Sequence, residues 1–173
     1  TLSDGPWLDR SRWRKIRSAP SVLQADIYTL DNNGERYLIK DFSPQPWLVR
    51  VLCTRWLLRH EERVLYTAGM IEGIPRCLGR PAKDILVIEF IQGRGTLPDR
   101  ADLRADTAVN LEFFMRLRGI VRALHEHGVS HGDLRRRNIL VTDRGPCVID
   151  FGTGLCVRGP LGFIRRRLFQ IFT

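Results

Sequence analysis

The segment that most constrains the fold spans residues 131–152 and reads HGDLRRRNILVTDRGPCVIDFG. Two short apolar runs, ILV and CVI, flank a turn that contains Asp, Gly and Pro, which is the pattern of a β-hairpin. Asp133 and Asn138 precede the first strand, and Asp150 follows the second. Because a hairpin brings its open ends together, we expect these side chains to converge. Three oxygen-bearing side chains suit a hard cation such as Mg²⁺ together with a base.

This segment resembles the catalytic loop and metal-binding segment of protein-kinase-like phosphotransferases, H-x-D-x-x-x-x-N followed by D-F-G. The resemblance implies an α+β fold with two lobes, of the protein-kinase type, and ATP as the phosphoryl donor. It also implies that Asp133 accepts the proton of the attacking hydroxyl, and that Asn138 and Asp150 bind Mg²⁺. His131 is expected to be structural, as a packed or hydrogen-bonded ring.

A strand expected at 36–41, which contains Lys40, follows a strong hairpin turn of sequence DNNG. Its residues YLIK resemble the third-strand V-A-I-K of the kinase fold, whose Lys contacts the α- and β-phosphates of ATP. Residues 46–68 are expected to form the helix that carries the acidic partner of this Lys. Glu61 is preferred because it lies four residues before Leu65, as in the family pattern, and Glu62 remains the alternative. Without Lys40, both glutamates would be interpreted as solvated.

Two apolar stripes at helical spacing are expected to face the core. The helix at 46–68 carries the first stripe: Trp47, Val51, Leu58 and Leu65. A second helix is expected at 108–127, and its stripe comprises Phe113, Phe114, Leu117, Ile120, Val121 and Leu124.

The loop between the first two expected strands, at 13–16 and 22–30, departs from the kinase pattern. Kinases place G-x-G-x-x-G there so that backbone amides approach the phosphates, whereas this chain has SAPS. The hydroxyls of Ser18 and Ser21 are expected to replace those donors, while Pro20 removes one amide. The departure keeps open a pseudokinase, or a nucleotide-binding module that retained the fold.

Residues 85–88 are expected to form a buried strand, and the following EFIQG resembles the hinge of small bacterial and archaeal-type kinases. The resemblance implies that the Glu89 carbonyl and the Ile91 amide hold adenine, and that Leu140 contributes to the nucleotide site.

The chain is expected to divide into an N-lobe at 1–92, with an antiparallel sheet and one helix, and a minimal C-lobe at 93–173. Only 21 residues follow Gly152 (173 minus 152), and the chain begins with Thr rather than Met. We therefore expect a C-lobe that is either minimal or cut short, and the first residue leaves open whether the chain is trimmed.

The H-G-D motif, the hinge and the small C-lobe resemble three kinds of atypical kinase. These are the lipopolysaccharide-core sugar kinases (Kdo and heptose kinases), the RIO-type protein kinases and, more distantly, the aminoglycoside phosphotransferases. The first implies an anionic glycolipid acceptor and the second a protein acceptor. The sugar acceptor is preferred, and the RIO-like serine/threonine kinase is the alternative.

The net charge of +9, with 25 arginines among 28 basic residues, indicates either a genomic bias or an anionic partner. No zinc-finger, RNP-like or helix-turn-helix signature is found, so no specific nucleic-acid partner is expected. Residues 158–173 combine four arginines with apolar pairs, which is typical of a segment at an anionic membrane surface. Core packing of a last helix is the equal alternative.

No apolar run approaches a membrane span, no signal peptide is visible, and the four cysteines lack metal or redox spacing. We therefore expect a cytoplasmic location, with peripheral contact at the inner face of the cytoplasmic membrane as a further expectation.

Overall fold

The computed structural model describes residues 6–98 and 109–156, and its fold is α+β, as predicted. The chain divides into two compact units. The first comprises Thr1–Glu62 with Arg76–Phe90, and the second comprises Arg63–Pro75 with Ile91–Thr173.

The first unit contains a five-stranded antiparallel sheet in the order β1-β2-β3-β5-β4. Its strands are β1 (Arg14–Arg17), β2 (Asp26–Asn32), β3 (Glu35–Asp41), β4 (Cys77–Ala82) and β5 (Ile85–Glu89). The turn between β2 and β3 has positive φ at both Asn33 and Gly34, as the Asn-Gly pair favours. Strand β2 begins later than the sequence predicted, because residues 18–25 form a loop in which Val22 and Leu23 are exposed.

The core of this unit lies against the sheet and combines side chains from three strands with one aromatic ring from outside the sheet. Ile39 on β3 and Val87 on β5 are register partners, and both are fully buried. Trp7, in a 3₁₀-helix at Pro6–Leu8, packs edge-on against Tyr37. Complete burial of a side chain of this size contributes about 1.5–3 kcal/mol, so this cluster holds β3 and β5 together. The buried members are Trp7, Leu30, Ile39, Ile85 and Val87.

The predicted helix at 46–68 forms α1 (Trp47–Val49), a turn of π-helix (Arg50–Thr54) and α2 (Arg55–Ala68). Gly69, with φ of +64°, follows its last residue and permits the left-handed helix end that glycine favours.

The prediction of a single buried stripe along this helix is wrong for Trp47 and Val51, which are exposed, whereas Leu58 and Leu65 are buried. The π-turn supplies the physical reason. The Arg55 amide donates to the carbonyl five residues earlier, so one extra residue enters the turn, which rotates the preceding residues by about 100° around the helix axis.

The second unit contains α3 (Leu111–Glu126), a three-stranded sheet in the order β6-β8-β9 and a two-stranded pair, β7 with β10. The Asn110 side chain accepts a hydrogen bond from the Phe113 amide at 3.0 Å and so caps the start of α3. The stripe of α3 is buried at Phe113, but the prediction for Phe114 is wrong because this ring is exposed. Strand bounds are β6 (Gly95–Thr96), β7 (Val129–Ser130), β8 (Ile139–Thr142), β9 (Gly145–Val148) and β10 (Leu155–Cys156).

The predicted membrane segment at 158–173 lies outside the described residues. Within residues 6–98 and 109–156, no helix has both the length and the apolar character needed to cross a bilayer.

Candidate active site

A buried ion pair joins β3 to α2. The Lys40 Nζ lies 2.6 Å from Glu61 Oε1, and the two side chains are only 13% and 7% exposed. Side chains alternate between the faces of a strand, so Lys40 is directed away from the face on which its neighbour Ile39 packs into the core. A charge-assisted hydrogen bond shielded in this way contributes about 1.5–3 kcal/mol. The pair therefore fixes the ammonium group rather than leaving it in solvent.

The neighbouring Glu62 has a different partner. Its Oε2 accepts a hydrogen bond from Arg80 Nε on β4 at 2.7 Å. Of the two glutamates left open by the sequence, the structure pairs Glu61 with Lys40. The catalytic roles of both residues remain predictions.

The glycine-free loop between β1 and β2 is held by the carboxylate of Asp26. This carboxylate accepts hydrogen bonds from the Ala19 amide at 2.7 Å and from Lys15 Nζ at 2.8 Å. Burial acts to raise the pKa of Asp26, but these hydrogen bonds outweigh it and hold that pKa below its usual value. The Ala19 amide is thus engaged and Pro20 has none, while the side chains of Ser18 and Ser21 are exposed.

In the second unit, His131 is a packed and hydrogen-bonded ring within the loop at 131–138, as the sequence predicted. Its Nε2 lies 2.9 Å from the carbonyl oxygen of Ile149, and its Nδ1 lies 3.3 Å from the Asp133 amide. A carbonyl only accepts and an amide only donates, so the ring carries its proton on Nε2. The ring is buried and packs on Phe151 of the D-F-G motif, with centroids 4.6 Å apart.

Asp133 is surrounded by arginine side chains and by the side-chain amide of Asn138. Its carboxylate forms ion pairs with Arg135 and, at 3.5 Å, with Arg137. Asn138 Nδ2 donates to the Asp133 carbonyl at 2.8 Å. Arg136 is directed elsewhere and donates to the carbonyl of Pro98. Two of the three consecutive arginines therefore contact the proposed base.

The hairpin brings the backbones around Asn138 and Asp150 together in space. The Ile149 amide donates a hydrogen bond to the Asn138 carbonyl at 2.9 Å. The Nδ2 group of Asn138 is committed to Asp133, so the amide oxygen takes the opposite direction and is suited to a cation. Asp150 adopts a left-handed φ of +66°, an uncommon backbone state for a residue with a Cβ that clusters at functional sites.

The amide oxygen of Asn138 and the carboxylate of Asp150 are oxygen ligands that fit Mg²⁺. Proteins bind this ion through one or two carboxylates, and water and substrate phosphates complete its coordination. Within the described residues no group of three or more His, Cys, Asp or Glu side chains is arranged to hold a metal, and a site of this kind needs none.

Sequence reasoning missed the role of Gly132. Its φ is +76°, and a Cβ there would lie 2.2 Å from the carbonyl oxygen of Thr153. Only glycine fits between the loop at 131–138 and the segment after D-F-G. The pairing of β7 with β10, in which Ser130 faces Leu155, holds the same two segments together. The feature of the sequence that could have indicated this steric role is the glycine inside the H-G-D motif.

The residues expected to bind adenine lie at the end of β5 and on β8. Glu89 is the last residue of β5, and its carboxylate accepts hydrogen bonds from the backbone and side chain of Arg76. Ile91 follows in irregular chain. Leu140 is half-buried on β8, and a Cβ on Gly93 would contact it at 3.4 Å. Their nucleotide contacts remain predictions.

The fold and these motifs agree with the comparison to known families. The RIO domain model matches residues 53–161, more than half of the chain, so the chain belongs to the RIO family of kinase-like proteins.

Individual relatives agree at moderate identity. The RIO-type serine/threonine-protein kinase Rio1 of Methanocaldococcus jannaschii is 33% identical over 106 residues, which cover 58% of this chain and 34% of the relative. Retinal guanylyl cyclase 1 of Rattus norvegicus is 29% identical over 139 residues, which cover 75% of this chain and 12% of the cyclase. The same cyclase of Mus musculus is 28% identical over the same length. The chain thus spans about a third or less of the length of these relatives.

Proposed function

We propose that the chain is an ATP- and Mg²⁺-dependent phosphotransferase that acts on a hydroxyl group, most specifically a serine/threonine protein kinase of the RIO type. The observation that carries this proposal is the 2.6 Å pair between Lys40 and Glu61, which holds a cation as phosphate binding requires. The family assignment and the archaeal RIO-type relative support the protein acceptor.

Phosphoryl transfer depends mainly on positioning and on neutralisation of charge. Lys40, held by Glu61, orients the α- and β-phosphates. Asn138 and Asp150 hold the metal, and Mg²⁺, when bound, neutralises charge on the phosphates. Asp133 accepts the proton, or a hydrogen bond, from the attacking hydroxyl.

Adenine is held by the carbonyl of Glu89 and the amide of Ile91, with Leu140 against the base. Ser18 and Ser21 offer exposed hydroxyls to the phosphates in place of glycine amides. Arg135 and Arg137 release the Asp133 carboxylate when phosphates compete for their guanidinium groups, because arginine binds phosphate in bidentate geometry.

The chemistry of the acceptor distinguishes the RIO-type protein kinases from the lipopolysaccharide-core sugar kinases, both of which the sequence resembles. The family assignment supports the RIO branch. A sugar hydroxyl on an anionic glycolipid remains a prediction, to be tested in the same assay. A cytoplasmic location with peripheral membrane contact through residues 158–173 also remains a prediction.

A binding module without turnover is the second candidate function. The loop favours it, because the Ala19 amide is engaged by Asp26 and Pro20 has no amide to offer. The similarity to a cyclase as well as to a kinase agrees with a fold that serves functions other than transfer.

The test is Mg²⁺-dependent ADP release, measured with protein and glycolipid acceptors alongside nucleotide affinity. Asp133→Asn is expected to abolish transfer and leave nucleotide affinity nearly intact, because this residue contacts the acceptor. Asp150→Asn is expected to weaken Mg²⁺-dependent nucleotide binding. Nucleotide binding without turnover in the unmodified chain would favour the binding module, and full turnover in Asp133→Asn would move the base elsewhere.

A further inference from the structure

The first turns of the long helix carry an exposed apolar surface that the proposed chemistry does not use. Trp47, Leu52 and Trp56 are 67%, 67% and 62% exposed, although residues of this size are normally at least half buried. We call this surface the helix patch, and its members are Trp47, Leu48, Val51, Leu52 and Trp56.

The π-turn creates the helix patch. The extra residue between Arg50 and Thr54 rotates Trp47 and Val51 away from the buried stripe, and Thr54 becomes fully buried in that part of the helix. The apolar residues are therefore kept together on the solvent side by a specific backbone feature.

The surroundings of the helix patch are positively charged. Residues 47–60 contain three arginines and no acidic residue. Arg50 and Arg55 both bond to Asp84, which leaves one net positive charge on that cluster. Arg59 is exposed, and no ion pair to it is found within the described part of the chain. About two positive charges thus flank the apolar surface.

We propose that the helix patch docks on an anionic lipid membrane, with the helix lying in the plane of the interface. An apolar face with Trp and Leu, flanked by arginine, is the composition that binds at the boundary of headgroups and acyl chains. The patch extends about 14 Å along the helix and has a Trp at each end, where the amphipathic indole favours the interface. The positive flank is complementary to acidic headgroups.

This inference is independent of the proposed phosphotransfer, since no member of the helix patch belongs to the candidate active site. It is also independent of residues 158–173, which contain no Trp. Indole fluorescence therefore distinguishes docking through the helix patch from docking through that segment.

The experiment measures co-sedimentation of the full chain with vesicles of phosphatidylglycerol and phosphatidylcholine, and with phosphatidylcholine alone. Binding to the acidic vesicles is expected to fall by about thirtyfold in Leu52→Ser/Trp56→Ser, since binding scales with the apolar area inserted. Arg59→Gln is expected to weaken it about fivefold. The matched control is Leu111→Ser/Met115→Ser, which removes two exposed apolar side chains from α3 and is expected to bind as the unmodified chain does.

Brominated acyl chains are expected to quench the indole fluorescence of the unmodified chain, and the quenching should be mostly lost in Trp47→Phe/Trp56→Phe. Equal vesicle binding by Leu52→Ser/Trp56→Ser and the unmodified chain would overturn the proposal, as would equal binding to neutral vesicles. A dimer that dissociates in Leu52→Ser/Trp56→Ser, without vesicle binding by either form, would assign the surface to self-association and also overturn it. Asp133→Asn should still bind vesicles, so this test and that of phosphotransfer can fail separately.

Discussion

The pair between Lys40 and Glu61 offers the sharpest test of the site, because the chain supplies its own control in the next residue. Glu61→Gln removes the carboxylate charge 2.6 Å from Lys40 Nζ while keeping the shape of the side chain. Glu62→Gln makes the same chemical change one residue along, at a carboxylate 2.7 Å from Arg80 Nε.

The expected size of the effect follows from burial and contact distance. Loss of one partner from a shielded, charge-assisted hydrogen bond costs about 1.5–3 kcal/mol, and Lys40 and Glu61 are both largely shielded. If nearly all of this free energy serves to position the ammonium group on the phosphates, kcat/KM for ATP falls about tenfold to a hundredfold, at 1.36 kcal/mol per factor of ten.

The assay is steady-state ADP release over a range of ATP concentrations, with thermal unfolding measured in parallel. Glu62→Gln is expected to stay within about threefold of the unmodified chain in kcat/KM, although it loses an ion pair of similar geometry, because that pair lies outside the proposed chemistry. A larger loss in Glu62→Gln than in Glu61→Gln would refute the assignment. Equal losses that follow only the unfolding temperature would reduce the Lys40 pair to a structural role.

Two further predictions concern stability. Gly132→Ala introduces a Cβ 2.2 Å from a backbone carbonyl at a left-handed φ and should lower the free energy of unfolding by about 2–4 kcal/mol, measured by urea titration; an unchanged midpoint would show that the loop shifts freely. Hydrogen bonds from Arg55, outweighing burial, keep the pKa of Asp84 below its usual value, so its stabilisation is fully present above about pH 4 and is lost as pH falls through the lowered pKa. Asp84→Asn should therefore lower the free energy of unfolding by about 1–3 kcal/mol at pH 7 and by progressively less in acid. The control Asp143→Asn, at an exposed ion pair, should change the free energy of unfolding little. A loss in Asp84→Asn that does not depend on pH would contradict an origin in the charge of Asp84.

Features that depend on a few neighbouring residues could be predicted from the sequence. The Asn33-Gly34 turn, the hairpin of β8 and β9 and the end of α2 before Gly69 all follow from local backbone preferences. The α+β class and the kinase-like family were also predicted from linear motifs, because H-x-D-x-x-x-x-N and D-F-G have a fixed spacing along the chain.

The sequence favoured Glu61 over Glu62 as the partner of Lys40, but only packing settled the choice. Glu61 and Glu62 differ by one residue along the helix, about 100° of rotation, and packing of α2 on the sheet selects the face that is buried. The same rotation explains the error at Trp47 and Val51, because one extra residue in the π-turn moves both side chains out of the core. Periodicity alone assumes a regular helix and contains no signal for that insertion.

The contacts that hold the loop between β1 and β2 and the loop at 131–138 were likewise decided by the fold. The hydrogen bond from the Ala19 amide to the Asp26 carboxylate joins residues seven apart, and the packing of Gly132 against Thr153 joins residues 21 apart (153 minus 132). Such contacts depend on where whole segments lie after the core has formed, and propensity or spacing along the chain does not encode that position. Motifs and spacing therefore predicted the candidate site residues, and packing determined the contacts that Lys40 makes with Glu61 and Asn138 makes with Asp133.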